Sequence, residues 1–327
     1  MIGRPVGSMR RQNKGRGCRF GESRFDVTSE SFEKTANYWD SYIAEHLADG
    51  NNSNRAEWLT HPTVQQHHRL RRGNRSLESW IADVALGGVP RSRGVGIGAG
   101  RAAVELGLLA SGAIDRFDLL DVSVGAIELA ERNATEMDLL HRISTARCDI
   151  SSFDLGRAKY DLVSCIGSLH HVSELSTVVQ SCARALADDG VLVAYEYVGP
   201  DRFATGEVER ELAQRLYRAL DPALKNPCTE LPLPNPEDVI AADPTEAVHS
   251  SRILDVLSNY FGKIDIVHHG GALAYTLWWG LAHDQLHESK EGWDFVDVLL
   301  QMDHALTSTG YIPDYFVTVA ASQPVDR

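Results

Sequence analysis

At 327 residues and a formal charge of −13, the chain is long enough for one large domain or for a core with a smaller attachment. Hydrophobic residues make up 43% and charged ones 24%, with 27 Gly and 12 Pro, values that exclude collagen-like, coiled-coil and wholly disordered chains. Apolar stretches such as Ala272 to Ala282 fall short of the ~18 residues a membrane span needs, so no membrane partner is expected.

Charge is unevenly spread. The first twenty residues carry six Lys/Arg and no acid, which leaves 26 basic against 45 acidic side chains elsewhere. A nucleic-acid partner is disfavoured, because phosphate binding needs a basic face that releases counterions. Residues 1–28 read as a basic disordered tail, with Met9 an alternative start. No apolar run follows Arg10-Arg11, so neither a secretory nor a twin-arginine signal is expected. The five cysteines, Cys18, Cys148, Cys165, Cys182 and Cys228, form no C-x-x-C pair, and this fits a reduced cytoplasmic compartment.

In chain order, residues 29–90 read as an N-terminal helical cap. Ser29 to Leu47 has helical spacing (Phe32, Ala36, Trp39, Tyr42, Ile43), and further helices are expected over Pro62 to Arg71 and Leu77 to Leu86 before Gly87-Gly88. Strand and helix patterns then alternate. A strand closes at Gly94 to Gly96, a helix covers Ala102 to Ala110, a strand Phe117 to Asp121, a helix Val124 to Thr135 and a strand Ile143 to Cys148. A strand over Tyr160 to Ile166, a helix over Leu175 to Leu186 and a strand over Val191 to Tyr197 follow. Such alternation implies an α/β fold with a parallel sheet covered on both faces. Beyond Gly199-Pro200 we expect a helix over Thr205 to Leu220, a proline-rich loop over Asn226 to Pro236, and a helix over Thr245 to Tyr260. A strand over Lys263 to Val267, two helical stretches over Ala272 to Leu286 and Ser289 to Leu306, and a last strand over Tyr315 to Ala320 complete the chain. Residues 91–327 thus form the main domain, with helical lid insertions at about 200–240 and 270–308.

The informative stretch is Gly94-Val95-Gly96-Ile97-Gly98-Ala99-Gly100 at the end of the first strand. Glycines there let the backbone turn tightly toward a ligand, and the following helix offers free N–H groups. Gly94-x-Gly96-x-x-Ala99 also fits the dinucleotide fingerprint loosely, and Asp121 would bind a ribose in either case. The context separates the two. Gly96-x-Gly98-x-Gly100, Phe117 to Asp121, Cys148-Asp149-Ile150, Tyr160 to Val163 leading to Ser168-Leu169-His170-His171, and Ala185 to Gly190 before the fifth strand resemble, in order and spacing, the class I S-adenosylmethionine (SAM)-dependent methyltransferases. Ala56-Glu57-Trp58-Leu59, His61-Pro62, Glu196 to Phe203, Asp243 to Val248 and the Gly270-Gly271 helix further resemble a bacterial small-molecule biosynthetic subfamily with helical lid insertions.

The resemblance implies a Rossmann-like sheet with SAM as cofactor. Gly98 and Gly100, in the turn opened by Gly96, would line the methionine moiety. Asp121 would accept both ribose hydroxyls, Asp149 the adenine amine, with Ile150 on the ring, and the backbone at Cys165 and Ile166 would meet the SAM amino group. One position departs from the family: the acid two residues before the first glycine of the run is Gly94 here. Glu105 either supplies that charge or is a solvated helix residue.

At the methyl group, His171 is the candidate base because histidine titrates near neutral pH, while His170 is expected to turn away. Glu196 and Tyr197 end the fifth strand, where ligands of open α/β sheets bind; Glu196 either serves the acceptor or pairs with Arg202. Tyr275, Trp278 and Trp279 share one helix face by spacing and would line an apolar pocket or shield a sulfonium, or else simply pack. No metal is expected: His283-x-x-x-His287 lacks the glutamate and third ligand of a zinc helix, and Cys165 reads as a packed thiol. The function these readings support is methyl transfer from SAM to an O or N of a small biosynthetic metabolite, by a monomer or homodimer. Two alternatives remain. One is a cyclase in which the amine of SAM attacks its own γ-carbon, giving azetidine-2-carboxylate and methylthioadenosine; the other is a SAM-binding protein without catalysis.

Overall fold

The computed structural model describes residues 30–47, 54–151 and 154–325, so the basic segment 1–28 lies outside the described residues. Helix α1 spans Glu30–His46. Helix α2, Pro62–Arg71, starts on a proline with the His61 ring capping Thr63 N–H at 3.2 Å. Helix α3, Leu77–Trp80, is capped by Ser76 and runs into one π turn over Ile81–Ala85. The alternating core follows as β1 (Arg91–Ile97), α4 (Ala103–Ala110), β2 (Ile114–Asp121), α5 (Val124–Glu136) and β3 (Ile143–Arg147). It continues with β4 (Tyr160–Ile166), α6 (Leu175–Ala185) and β5 (Leu186–Tyr197).

The remaining elements are α7 (Glu207–Ala219), α8 (Pro236–Ala242), α9 (Ile253–Tyr260), β6 (Phe261–Gly271), α10 (Ala272–Trp278), α11 (His283–Glu288), α12 (Lys290–Ser308) and β7 (Asp314–Pro324). Seven strands form one sheet in the order β3-β2-β1-β4-β5-β7-β6. The first five are parallel, and β7 is antiparallel to both of its neighbours. The fold is therefore the expected Rossmann-like α/β sheet. Pairing of Ile97 with Leu120 and Cys165, and of Ile166 with Tyr195, brings the carboxyl ends of β1, β2, β4 and β5 side by side.

Both faces of the sheet are buried, which explains the apolar run Val191 to Tyr195 in its central strand β5. One core packs Val163, Cys165 and Leu192 against Val178 and Val179 of α6 and Leu257 of α9; the other packs Phe117, Leu119 and Leu162 against Trp80, Leu106 and Leu109. A third core gathers Tyr217, Leu273, Leu277, Trp278 and Leu300 around α7, α10 and α12. Among the described residues no helix is long and apolar enough to cross a membrane.

Three expected elements differ. The helix read over Thr245 to Tyr260 begins at Ile253, because Asp243 Oδ1 accepts Thr245 N–H at 2.8 Å and folds residues 243–248 into a turn. A short helix, α8, occupies Pro236–Ala242, just past the proline-rich loop, with Asn235 as its cap. The stretch Ala272 to Leu286 breaks into α10 and α11 around Gly280, where a Cβ would lie 2.5 Å from the Tyr217 ring; glycine there lets α7 approach.

The switch from β6 into α10 turns on Asp303 of α12, which is 1% exposed. Its carboxylate accepts the N–H groups of Gly271 (2.6 Å), Leu273 (2.7 Å) and Ala274 (3.1 Å), satisfying the orphan donors that open α10. Hydrogen bonds to a charged acceptor each contribute more than neutral ones, so we expect Asp303→Ala to lower unfolding free energy by ~2–4 kcal/mol in urea denaturation. Asp303→Asn, which keeps one acceptor oxygen, should lose less.

Candidate active site

The turn after β1 is built on glycines because its backbone enters the left-handed region at Gly98 (φ +61) and Gly100 (φ +54). A Cβ on Gly98 would stand 2.7 Å from Ser168 Cβ, so this turn touches the turn after β4. Beneath it, Glu105 of α4 is 3% exposed and accepts from Ser164 Oγ at 2.7 Å. Burial pushes its carboxyl above the usual range, against the bond from Ser164. A Cβ on Gly96 would lie 3.3 Å from Glu105 Oε1, so the carboxylate sits directly under the glycine turn and is no solvated helix residue. Gly94 has no room for an acid: a Cβ there would meet the Phe117 ring at 2.4 Å.

The expected cofactor residues line up along the neighbouring strand ends. Asp121 Oδ2 accepts Gly100 N–H at 2.8 Å and Oδ1 accepts Ser123 N–H at 2.9 Å. Each oxygen retains a lone pair for a further donor. Burial raises the Asp121 carboxyl, and these backbone bonds oppose the rise. Asp149 accepts Ser151 N–H at 2.9 Å, and Cys148 and Ile150 pack against the core edge. Burial, then Asp121 and Asp149, push the Cys148 thiol up to about 12. Cys165 is wholly buried beside Cys182, as a packed thiol should be, and Ile166 ends β4.

Helix α1 lies across this row. Asp40 accepts Gly125 N–H at 2.9 Å and the Ser123 hydroxyl, so α1 shares the capping of α5. Ile43 packs on Ala126 and Leu129, and Trp39 reaches the His171 ring, with centroids 5.2 Å apart. The same helix thus spans from the Asp121 side to the His171 side.

At the end of β4 both histidines turn inward, so His170 does not turn away. Glu196, 2% exposed, accepts the N–H groups of Ser168 (2.8 Å) and Leu169 (2.7 Å) and His170 Nδ1–H at 2.6 Å. It does not pair with Arg202, whose guanidinium donates to Glu246 O at 2.8 Å. Thr245 gives its hydroxyl hydrogen to Asp243 Oδ1 at 2.7 Å, leaving its oxygen to accept from His171 Nδ1–H at 3.3 Å. Burial and the adjacent His170 hold the His171 ring down at about 3. So low a value makes His171 a weak proton acceptor, against its expected role as base. For His170 burial opposes protonation, but Glu196, Glu246 and Asp243 together raise its pKa.

An aromatic group borders this polar one. Tyr197 packs on Phe203, Tyr275, Tyr315 and Phe316, with its hydroxyl donating to Pro200 O at 3.2 Å. Tyr275 and Trp279 share the Phe203 contact. Trp278 does not join them: it is 2% exposed, stacks edge-on to Trp58 and donates its indole N–H to Ala56 O at 2.7 Å. His283 Nε2–H donates to Trp278 O at 2.9 Å, and His287 lies against His61, so that pair turns to other partners. Sequence reasoning missed Trp39, Asp243 and Glu246 as site residues, although Asp243 to Val248 stood out as a motif.

Residues 94–190 match the family model of a methyltransferase domain. With the strand order, this defines the class: the sheet carries a class I SAM-dependent methyltransferase domain, and SAM is its cofactor. Among solved structures, geranyl diphosphate C-methyltransferase from Streptomyces coelicolor A3(2) aligns over 90% of this chain and 99% of its own with a TM-score of 0.51 at 11% identity, a likeness of fold. The [4+2]-cyclase SpnF covers 89% of this chain and 96% of its own, with a TM-score of 0.49 and 16% identity. A comparison with curated proteins yields no match.

Because the Phe117 ring fills the place of the missing acid, we expect Gly94→Ala to destabilise by ~1–3 kcal/mol through overpacking. The double variant with Phe117→Leu should recover part of that loss, a coupling measurable by a denaturant double-mutant cycle.

Proposed function

We propose that the protein transfers the methyl group of SAM to an O or N of a small metabolite held at the carboxyl ends of β4 and β5. The observation that carries this reading is the contact between Gly98 and Ser168, which sets the cofactor turn two residues along the chain from His170 and three from His171. A sulfonium methyl over that contact faces a chamber with an aromatic wall (Tyr197, Phe203, Tyr275) and a polar end (His170, His171, Glu246). The aromatic wall would receive an apolar part of the acceptor and exclude water; the polar end would receive its O–H or N–H.

Methyl transfer is an in-line displacement in which the acceptor lone pair attacks the methyl carbon and the C–S bond pair returns to sulfur. Proximity and alignment supply most of the acceleration in such a step. Glu196 acts here as a positioning residue, since it touches only Ser168, Leu169 and His170. Tyr197 contributes its ring to the wall, its hydroxyl being spent on Pro200 O. We assign α1 and the helices α7 and α10 to α12 to covering the chamber.

Asp121 offers two hydrogen-bond acceptor oxygens at the end of β2, the position for ribose hydroxyls. We expect Asp121→Ala to weaken SAM binding by ~2–4 kcal/mol in calorimetric titration, and unchanged affinity would remove Asp121 from the site.

The aromatic wall also suits a cyclase that holds its sulfonium over rings while the SAM amine attacks the γ-carbon. One incubation separates the readings. With SAM and a small-molecule extract, S-adenosylhomocysteine should accumulate by chromatography and depend on the extract. Sustained methylthioadenosine from SAM alone, above background, would overturn the methyl-transfer reading.

A further inference from the structure

The polar end of the chamber has a feature the methyl-transfer reading leaves unused. Each histidine has its Nδ1–H committed, that of His170 to Glu196 and that of His171 to Thr245, in front of the buried Asp243. In the neutral rings this places both lone pairs on Nε2. Those two Nε2 atoms face one carboxylate: His170 Nε2 stands 3.7 Å from Glu246 Oε1 and His171 Nε2 stands 3.8 Å from Glu246 Oε2. Both separations exceed hydrogen-bond length, so the three groups converge without bonding one another.

The spacing suits a shared ion. Zinc binds His nitrogen and carboxylate oxygen at about 2.0–2.2 Å in a tetrahedron, which puts two ligand atoms about 3.5 Å apart. The three ligand atoms lie within 4.8 Å of one another, so side-chain shifts of about 1 Å bring them to that spacing.

The surroundings are those of a built site. Glu196 stands behind His170 as the carboxylate that orients a ligating imidazole, and Asp243 stands behind His171 at 3.6 Å. Asp243 Oδ2 is buried and makes no hydrogen bond. The turn carrying Glu246 is tied to the histidine turn by Val248 N–H on His170 O at 2.9 Å, and to Arg202 through Arg202 N–H on Ala247 O at 2.8 Å. Asp243 and Glu246 face the Tyr38 hydroxyl, Glu246 faces the Arg202 guanidinium, and the two imidazoles stand with ring centroids 4.2 Å apart.

We propose that His170 Nε2, His171 Nε2 and the Glu246 carboxylate bind one divalent transition-metal ion of the zinc or ferrous kind, whose open positions take an oxygen of the acceptor. Two imidazoles and one carboxylate form a donor set that suits such borderline ions better than magnesium or calcium. The last clause alone rests on the methyl-transfer reading, and it narrows the acceptor to a molecule presenting a hydroxyl, carbonyl or carboxylate oxygen beside the methyl group.

The test uses the full chain, stripped with a chelator and titrated with Co2+ as a spectroscopic probe and with Zn2+ in competition. One equivalent of Co2+ per chain should bind, with visible d–d absorption, and Zn2+ should displace it. Glu246→Gln and His171→Ala should each weaken binding by at least 100-fold, and Asp243→Asn by about 10–100-fold. His283→Ala should leave it unchanged. S-adenosylhomocysteine binding, measured on every variant, reports folding and the cofactor site independently. Protein that binds S-adenosylhomocysteine but takes up no stoichiometric Co2+ would overturn the metal site while leaving the methyl-transfer reading standing. Co2+ binding that survives Glu246→Gln or depends on His283 would overturn it equally. Failure to bind S-adenosylhomocysteine with the metal site intact would instead strike the cofactor reading.

Discussion

At the end of β5 the Glu196 carboxylate is 2% exposed and accepts three N–H groups, from Ser168, Leu169 and His170. Burying a carboxylate costs several kcal/mol unless its lone pairs are filled with good geometry, and here the loop after β4 fills them. The constraint acts in both directions. The loop cannot move without stranding the charge, and the charge cannot be tolerated unless the loop is there. Ser168 is thereby held against Gly98, and both histidines are presented to Glu246. The glycine turn after β1 and the histidine turn after β4 are parts of one clamp.

A second buried carboxylate resolves the departure at Gly94. In most class I methyltransferases an acid occupies that strand position, and here the Phe117 ring does. Glu105, one helix turn into α4, reaches under the glycine turn and is satisfied by Ser164 of β4. Glu105 places its carboxyl beneath the glycine turn from the helix rather than from the strand. Its polar partner comes from the neighbouring strand, so this placement depends on the register that pairs Gly96 with Ser164.

Around Glu196 the neighbouring side chains divide by chemistry. Tyr197, Phe203, Tyr275 and Phe316 stack edge to face, a geometry that favours aromatic contacts over and above their buried area. The opposite end collects His170, His171, Asp243 and Glu246 with Trp39 of α1 closing over them.

Much of this was legible in the chain alone, because the signals were local. Glycines that must turn with positive φ, an acid ending β2 and the apolar run Val191 to Tyr195 in β5 each follow from backbone sterics or burial over a few residues, and they sufficed for the sheet and its class and for placing Gly98 and Asp121 at neighbouring strand ends. The direction of a side chain near the end of an element is different, since it depends on what packs there from far along the chain. Helical spacing put Trp278 with Tyr275 and Trp279, but Trp58 and Ala56, more than two hundred positions earlier, draw it away. His170 turned inward because Glu196 holds its Nδ1, and burial with the adjacent His170 lowers the pKa of His171. The meeting of His170 and His171 with Glu246, 75 residues later, was decided by a turn that Asp243 folds where helical periodicity predicted a helix. Periodicity reads one element at a time, and this site exists only where several elements end together.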